Sequence, residues 1–540
     1  MTSQAAQILQ RVEMALRAGN LHDAMRLARD AADRGAMHPS LLTLAALQDV
    51  EDGQPARALE RAGRALAFAP RSPDALHAKA IALAKLGRHG EALPLYDEVL
   101  RQAPKLAAAR YNKAASLAET HDWQRAEREF ERVIDLEPRH PGALSRLATL
   151  AASRGEAQKA RDLATRALRI NPREAAAELA LAQLDLDAGD HEAVRRRVEK
   201  LLAGPAVTPV NRSIAHGLLA DTLDALGRPD EAIVHYARGN LILRELYRPA
   251  FEAPGRERAV SRARRIAAQL RDRPPVPAPA APHSPVATHV FLVGFPRSGT
   301  TLLEQILAGH PGIETLEERD CLAGAVEEFI LPADGLEKLE AVPDAALQRH
   351  RDTYWAEARK GAAKLDRAVF VDKLPLNALN LPVIARLFPA ARILLALRDP
   401  RDVVLSCFRR RFEMSPYMYE LLTLADAAAF YDATMQVCTM AEDVLPLPFF
   451  RLRYEDLVED VQGQATALAA FLGLEFDSKM LDFAQTARRR AIMTPSASQV
   501  ARGLYRSGMG QWRAYREALT PALALLAPWI ARFLYDKDEV

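Results

Sequence analysis

Residues 289–306 read HVFLVGFPRSGTTLLEQI. An apolar run from Val290 to Val293 leads into a polar loop that opens at Gly294, and apolar periodicity resumes at Leu302. That order spells a buried strand, a tight loop and a helix. Within the loop GFPRSGTT, two glycines stand five positions apart and two threonines follow the second. Glycine lets the backbone fold tightly enough to turn its N–H groups onto an anion, and the helix that follows aims its positive end at the same point. The loop nearly spells the triphosphate-binding pattern G-x-x-x-x-G-K-[ST], but Thr300 occupies the lysine position. Magnesium-nucleotide chemistry needs that lysine on the β- and γ-phosphates. A loop without it suits an anhydride cleaved without a metal.

Downstream, residues 391–411 read ARILLALRDPRDVVLSCFRRR. Ile393 to Leu397 is a continuous apolar strand of the parallel type. Arg398 stands at its carboxyl end, with Ser406 eight residues on and Arg410 twelve residues on. The arginine fork donates two parallel hydrogen bonds and so suits phosphate. Residues 370–377, FVDKLPLN, spell another strand ending at Asp372 and Lys373, and ligands of open α/β sheets bind at carboxyl ends of strands. Residues 310–320, HPGIETLEERD, end the loop helix and bring Glu314, Glu317, Glu318 and Asp320. Carboxylates beside an anion loop make sense if one of them takes a proton from an acceptor hydroxyl. Residues 449–457, FFRLRYEDL, give a further strand and turn, with Glu455 and Asp456 read as helix capping.

PRSGTT followed by a leucine-rich helix resembles the 5′-phosphosulfate loop of the sulfotransferases that use 3′-phosphoadenosine 5′-phosphosulfate (PAPS). The RDPRD run with serine eight residues after its first arginine resembles the 3′-phosphate site of the same family, and the resemblance spans residues 288–540. It implies that Arg297, Ser298, Gly299, Thr300 and Thr301 grip the phosphosulfate, that Arg398, Ser406 and Arg410 hold the 3′-phosphate, and that Tyr454 packs by the adenine. No metal is expected. The tyrosylprotein branch has an H-P-x-x-x-x-G-E-E-T-R stretch whose second glutamate is the catalytic base. Counted from His310 and Pro311, that glutamate is Glu318. Leu316 and Arg319-Asp320 depart from the pattern, which leaves Glu317 as the alternate. Lys373 matches a lysine that stabilises the transferring group, and Ser496, opening SASQV, matches a second stabiliser. Arg502 replaces a lysine of that branch's S-T-D-Q-V-x-K-P stretch, Arg506 is an additional phosphate candidate, and Gln511 replaces a nucleotide-binding lysine.

The N-terminal half is repetitive. Pro70, Pro104, Pro138 and Pro172 recur every 34 residues, and Gly19, Gly53, Gly87, Gly155 and Gly189 lie on a grid of the same period. Ala24, Ala58, Ala92, Ala126 and Ala160 each follow a grid position by five, and Gly227 with Ala232 restores the pattern after a short insertion. A helix–turn–helix unit of this period resembles tetratricopeptide (TPR) repeats, about six to seven of them. Stacked units make a solenoid whose groove suits a protein or peptide. The expected organisation is an all-α TPR solenoid over residues 1–247, a capping and basic helix over 248–270, a Pro/Ala-rich linker over 271–288, and an α/β, P-loop-like sulfotransferase domain with a central parallel sheet over 289–540.

Length and composition agree with more than one globular domain: 540 residues, 49% hydrophobic and 26% charged. Lys and Arg number 72 against 70 Asp and Glu, so bulk nucleic-acid binding is not expected. Cys321, Cys407 and Cys438 are odd in number and lack metal spacing, as in a reducing compartment. No apolar run is long enough to span a membrane, and no signal peptide is evident, so a cytoplasmic location is expected. The expected activity is sulfuryl transfer from PAPS to an acceptor hydroxyl on a protein or peptide, tyrosine included, with the solenoid binding partner or substrate. The alternatives are a P-loop kinase or other nucleotide-triphosphate enzyme, and a TPR scaffold with an inactive sulfotransferase-like domain.

Overall fold

A computed structural model describes residues 3–120, 122–204, 207–271, 273, 283–361, 365–490 and 508–535. The chain divides into two compact units, Met1–Ala203 and Gly204–Val540.

The first unit is a run of helix pairs, from Ser3–Arg17 with Leu21–Asp33 to Ala175–Asp187 with His191–Leu202. The alanines of the 34-residue grid explain the close pairing: Ala24, Ala58, Ala92, Ala126 and Ala160 are all fully buried. Proline opens many first helices (Pro39, Pro73, Pro141), where its missing N–H costs nothing. An ion pair inside the stack joins Arg61 Nη1 to Asp49 Oδ2 at 2.8 Å. Burial still pushes the Asp49 carboxyl above its usual range, against the pull of Arg61 and Arg57.

The second unit opens with a helical hairpin, α1 (Pro209–Ala225) and α2 (Pro229–Phe251). This last pair groups with the sheet domain. Five strands follow: β1 (Thr288–Gly294), β2 (Ile313–Glu317), β3 (Val369–Lys373), β4 (Arg392–Leu397) and β5 (Phe449–Arg453). All pair in parallel, in the order β2-β3-β1-β4-β5. The helices that frame the site are α3 (Thr300–Gly309), α4 (Asp344–Gly361) and α5 (Pro400–Arg409). Most of the Pro/Ala-rich stretch 271–288 lies outside the described residues.

Strand alternation separates two cores. Val290, Leu292, Val369, Val371, Leu394, Ala396 and Leu452 pack under α3 and the helix Val461–Leu472. The opposite face is aromatic: Phe291 meets Tyr354 and Phe388, and Phe295 meets Phe430 and Tyr431. With both faces covered, the strands read as continuous apolar runs. The chain moves from β1 towards β2 on one side and from β3 past β1 to β4 on the other. This reversal opens a crevice at the carboxyl ends of β1 and β4, where such sheets bind ligands. No helix among the described residues is long and apolar enough to cross a membrane.

Candidate active site

The loop between β1 and α3 is shaped by close approach. A Cβ on Gly294 would lie 2.7 Å from the Ala396 carbonyl oxygen of β4. Gly299 caps α3 at φ 93°, and a Cβ there would lie 2.6 Å from Tyr454 Cδ2. No other residue type fits that backbone and that gap together. Ser298, Thr300 and Thr301 are buried at the start of α3, where the first N–H groups lack intrahelical partners.

Arg297, inside the same loop, holds φ 72°, a left-handed conformation uncommon for a side chain of its size. Its Nε donates to Ser406 Oγ of α5 at 3.0 Å. Arg398 Nη1 donates to the Arg297 carbonyl at 3.2 Å, and Arg398 Nη2 donates to the Gly508 carbonyl. The Arg398 guanidinium also lies over the Tyr454 ring at 4.9 Å. Burial, with the charges of Arg410 and Arg398, pushes the Arg297 guanidinium down to about 9. Burial likewise lowers Arg410, with Asp221 pulling the other way. Crowding of buried cations in this way favours an anion between them.

The neighbouring Arg401 has a different fate. It pairs with Asp399 at 2.8 Å and lies over Trp512 at 3.8 Å, a structural clamp beside the site. Arg398, by contrast, makes no ion pair among the described residues, and its buried Nε has no hydrogen-bond partner. The charged cradle, this unused donor and the Gly299–Tyr454 gap fit a nucleotide carrying phosphate at more than one position.

A second cluster sits at the carboxyl ends of β2 and β3. Lys373 is fully buried, and its Nζ lies 2.8 Å from Glu318, 3.4 Å from Glu304 and 3.8 Å from Glu317. Burial alone would lower the lysine, but the three carboxylates outweigh it and hold Lys373 above its ordinary value. Glu318 stands just past β2 at φ 42°, its N–H donating to the Lys373 carbonyl at 2.8 Å, and its side chain is 39% exposed. Glu317 is paired in register with Lys373 and is 27% exposed, so it reaches less solvent. A non-glycine residue held at positive φ stores strain that is concentrated at functional positions. Arg297 and Glu318 are two such residues here.

Next to the lysine on β3, Asp372 enters a buried hydrogen-bonded cluster that the sequence did not reveal. Tyr354 of α4 donates to Asp372 Oδ2 at 2.8 Å, and His289 Nε2 meets the same phenol oxygen at 2.8 Å. Burial drives Asp372 up to about 7 and His289 down to about 3.

The structure therefore brings Arg297, Ser298, Gly299, Thr300, Thr301, Arg398, Ser406, Arg410 and Tyr454 to one crevice, and Glu318 and Lys373 to the adjoining strand ends. Ser496, Arg502 and Arg506 lie outside the described residues. Glu455 reaches beyond its own helix: its carboxylate accepts the Asp399 N–H at 3.1 Å and the Tyr535 hydroxyl at 2.9 Å. The carboxylate-rich run 313–317 is an edge strand, and that strand delivers Glu318 to Lys373. Glu304 was missed, although a single acid inside the apolar helix TTLLEQILAG was a visible signal.

Residues 289–478 match the model of the sulfotransferase family, and residues 43–107 and 111–175 match tetratricopeptide repeats. An uncharacterized protein of Aquifex aeolicus (strain VF5) is 29% identical over 255 residues, which are 44% of this chain and 32% of that protein. This chain thus spans about a third of that relative's length. A putative protein-tyrosine sulfotransferase of Caenorhabditis briggsae is 25% identical over 46% of this chain and 90% of its own. Among solved structures, the sulfotransferase domain of the Synechococcus PCC 7002 olefin synthase is 22% identical, covering 48% of this chain and 98% of its own, at a TM-score of 0.34. The chain joins tetratricopeptide repeats to a domain of the sulfotransferase family.

Proposed function

We propose that the C-terminal domain transfers a sulfuryl group from PAPS to an acceptor hydroxyl on a protein or peptide, tyrosine being one acceptor, while the repeats bind that protein or a partner. One observation carries this reading. Arg297 donates to Ser406, Arg398 donates to the Arg297 carbonyl, and Arg410 ends α5 four residues after Ser406, so three arginines converge at the carboxyl ends of β1 and β4.

When bound, the donor supplies an activated sulfuryl group on a phosphate anhydride. Arg297 and the backbone at the start of α3 would hold the 5′ side, and Arg398, Ser406 and Arg410 the 3′-phosphate. Tyr454, stacked under Arg398, would flank the base. Glu318, the more exposed carboxylate on Lys373, would take the acceptor's proton, so that the acceptor oxygen bonds to sulfur as the bond to the phosphate oxygen breaks. Lys373, kept charged by its carboxylates, would offset negative charge on the departing oxygen. Ser496 is proposed to assist there.

Calorimetry on the purified full chain tests the reading. Adenosine 3′,5′-bisphosphate should bind and ATP with magnesium should not; the reverse would assign a nucleotide-triphosphate enzyme. Incubation with radiolabelled PAPS and a protein extract tests the acceptor, because label confined to small molecules or glycans would remove the protein-acceptor part.

A further inference from the structure

The helical hairpin α1–α2 lies outside the residues that match the sulfotransferase family, yet it grips the end of α5 residue by residue. Asn240, buried on α2, donates its Nδ2 to the Phe408 carbonyl at 2.9 Å. Arg409 Nη2 donates to Asp224 of α1, and its guanidinium lies between the rings of Tyr236, at 5.4 Å, and Tyr515, at 5.2 Å. Tyr515 in turn donates to the other Asp224 oxygen, and Gln511 accepts from Arg409 Nη1 at 3.3 Å. Arg411 Nη1 donates to Asp221 Oδ2 at 3.0 Å, while Tyr236 donates to Asp221 Oδ1 at 2.7 Å. Arg411 reaches Asp221 across Gly217, where any Cβ would collide with its guanidinium.

Residues 408, 409 and 411 are thus fastened to the hairpin, and Arg410 between them caps α5 four residues after Ser406, which accepts from Arg297. Left alone, three consecutive arginines beside Arg297 and Arg398 would repel one another and swing outwards. Asp221 and Asp224 each hold one outer arginine. Asp224 also ties Tyr515, from the segment after the sheet, to the same point.

We propose that the α1–α2 hairpin is a wall of the donor site, in which Asp221 and Asp224 are positioning residues that set Arg410 beside Arg297 and Ser406 for the 3′-phosphate. This rests on the donor reading above. It makes the last helical pair of the repeat-like region part of the catalytic apparatus rather than of the partner-binding stack.

The test compares adenosine 3′,5′-bisphosphate with adenosine 5′-monophosphate by calorimetry on the full chain. Wild type should prefer the bisphosphate; absence of that preference overturns the donor reading itself. Asp224→Asn and Asp221→Asn should each weaken the bisphosphate by about tenfold or more and leave the monophosphate unchanged. In turnover, the KM for PAPS should rise while kcat at saturation is kept. Equal loss for both nucleotides, or no loss, overturns the wall. Should either Asn variant fail to fold, Tyr236→Phe removes only the hydroxyl that steadies Asp221. It should shift the same ratio in the same direction by a smaller factor, and an unchanged ratio overturns the proposal equally.

Discussion

Lys373 Nζ lies 2.8 Å from Glu318 Oε1, joining the carboxyl end of β3 to the residue after β2. The pair sets a cation and an exposed carboxylate side by side, with a second, fully buried carboxylate, Glu304, below them. Proton removal and charge stabilisation could therefore act at adjacent points, and substitutions should separate them.

Glu318→Ala should lower sulfuryl transfer by ~10²–10⁴-fold, the usual contribution of a general base. Its affinity for adenosine 3′,5′-bisphosphate should not change, because the arginine cradle is separate. Glu317→Ala should lower transfer less. Turnover measured with labelled PAPS decides the matter, and a fully active Glu318→Ala enzyme would remove this residue as the base.

Lys373→Met should destabilise the domain by about 3–5 kcal/mol, because Glu304 would be left charged and buried. Adding Glu304→Gln removes that charge and should recover much of the loss, while transfer stays abolished. Denaturant melts of the single and double variants check the first part. A single variant as stable as wild type would show that Glu304 does not depend on the lysine.

Gly299→Ala should weaken adenosine 3′,5′-bisphosphate binding strongly. The new Cβ would sit 2.6 Å from Tyr454 Cδ2, on a backbone at φ 93° that costs roughly 1–2 kcal/mol for an L side chain. The displaced tyrosine would also leave the Arg398 guanidinium that lies over it. Binding equal to wild type would mean that the loop relaxes without cost.

Asp372 and His289 share Tyr354 and predict opposed pH dependences. The Asp372 carboxyl, raised to about 7, is protonated when folded and ionised when unfolded between about 4 and 7. Its contribution to stability is therefore lost as pH rises through that window, by up to ~1.4 kcal/mol per pH unit. His289, lowered to about 3, is neutral when folded and charged when unfolded up to about 6.5, so its contribution is gained as pH rises. The two slopes oppose one another across most of the interval. Asp372→Asn keeps an acceptor for Tyr354, and its stability relative to wild type should climb from pH 4 to 7 and then level. A flat difference in denaturant melts across that range would contradict the buried carboxyl.

The sequence alone determined whatever is written in contiguous residues. The 34-residue period identifies stacked helix pairs, because most units repeat the same glycine turn and small buried alanine. The loop 294–301 and the Arg398–Ser406 spacing mark the crevice at the strand ends, because a strand end, a tight turn and a helix start are local events. Only the tertiary structure decided which distant groups share a charge. Glu304 under Lys373, Asp372 beside Tyr354 and His289, and Asp224 between Arg409 and Tyr515 are pairings across tens to hundreds of residues. No local pattern encodes them, because a buried charge is set by what packs against it, and periodicity reports only which face is buried. The same reason explains α1–α2. Its residues keep the repeat's glycine and alanine register, yet Asp221 and Asp224 find their partners on the sheet domain.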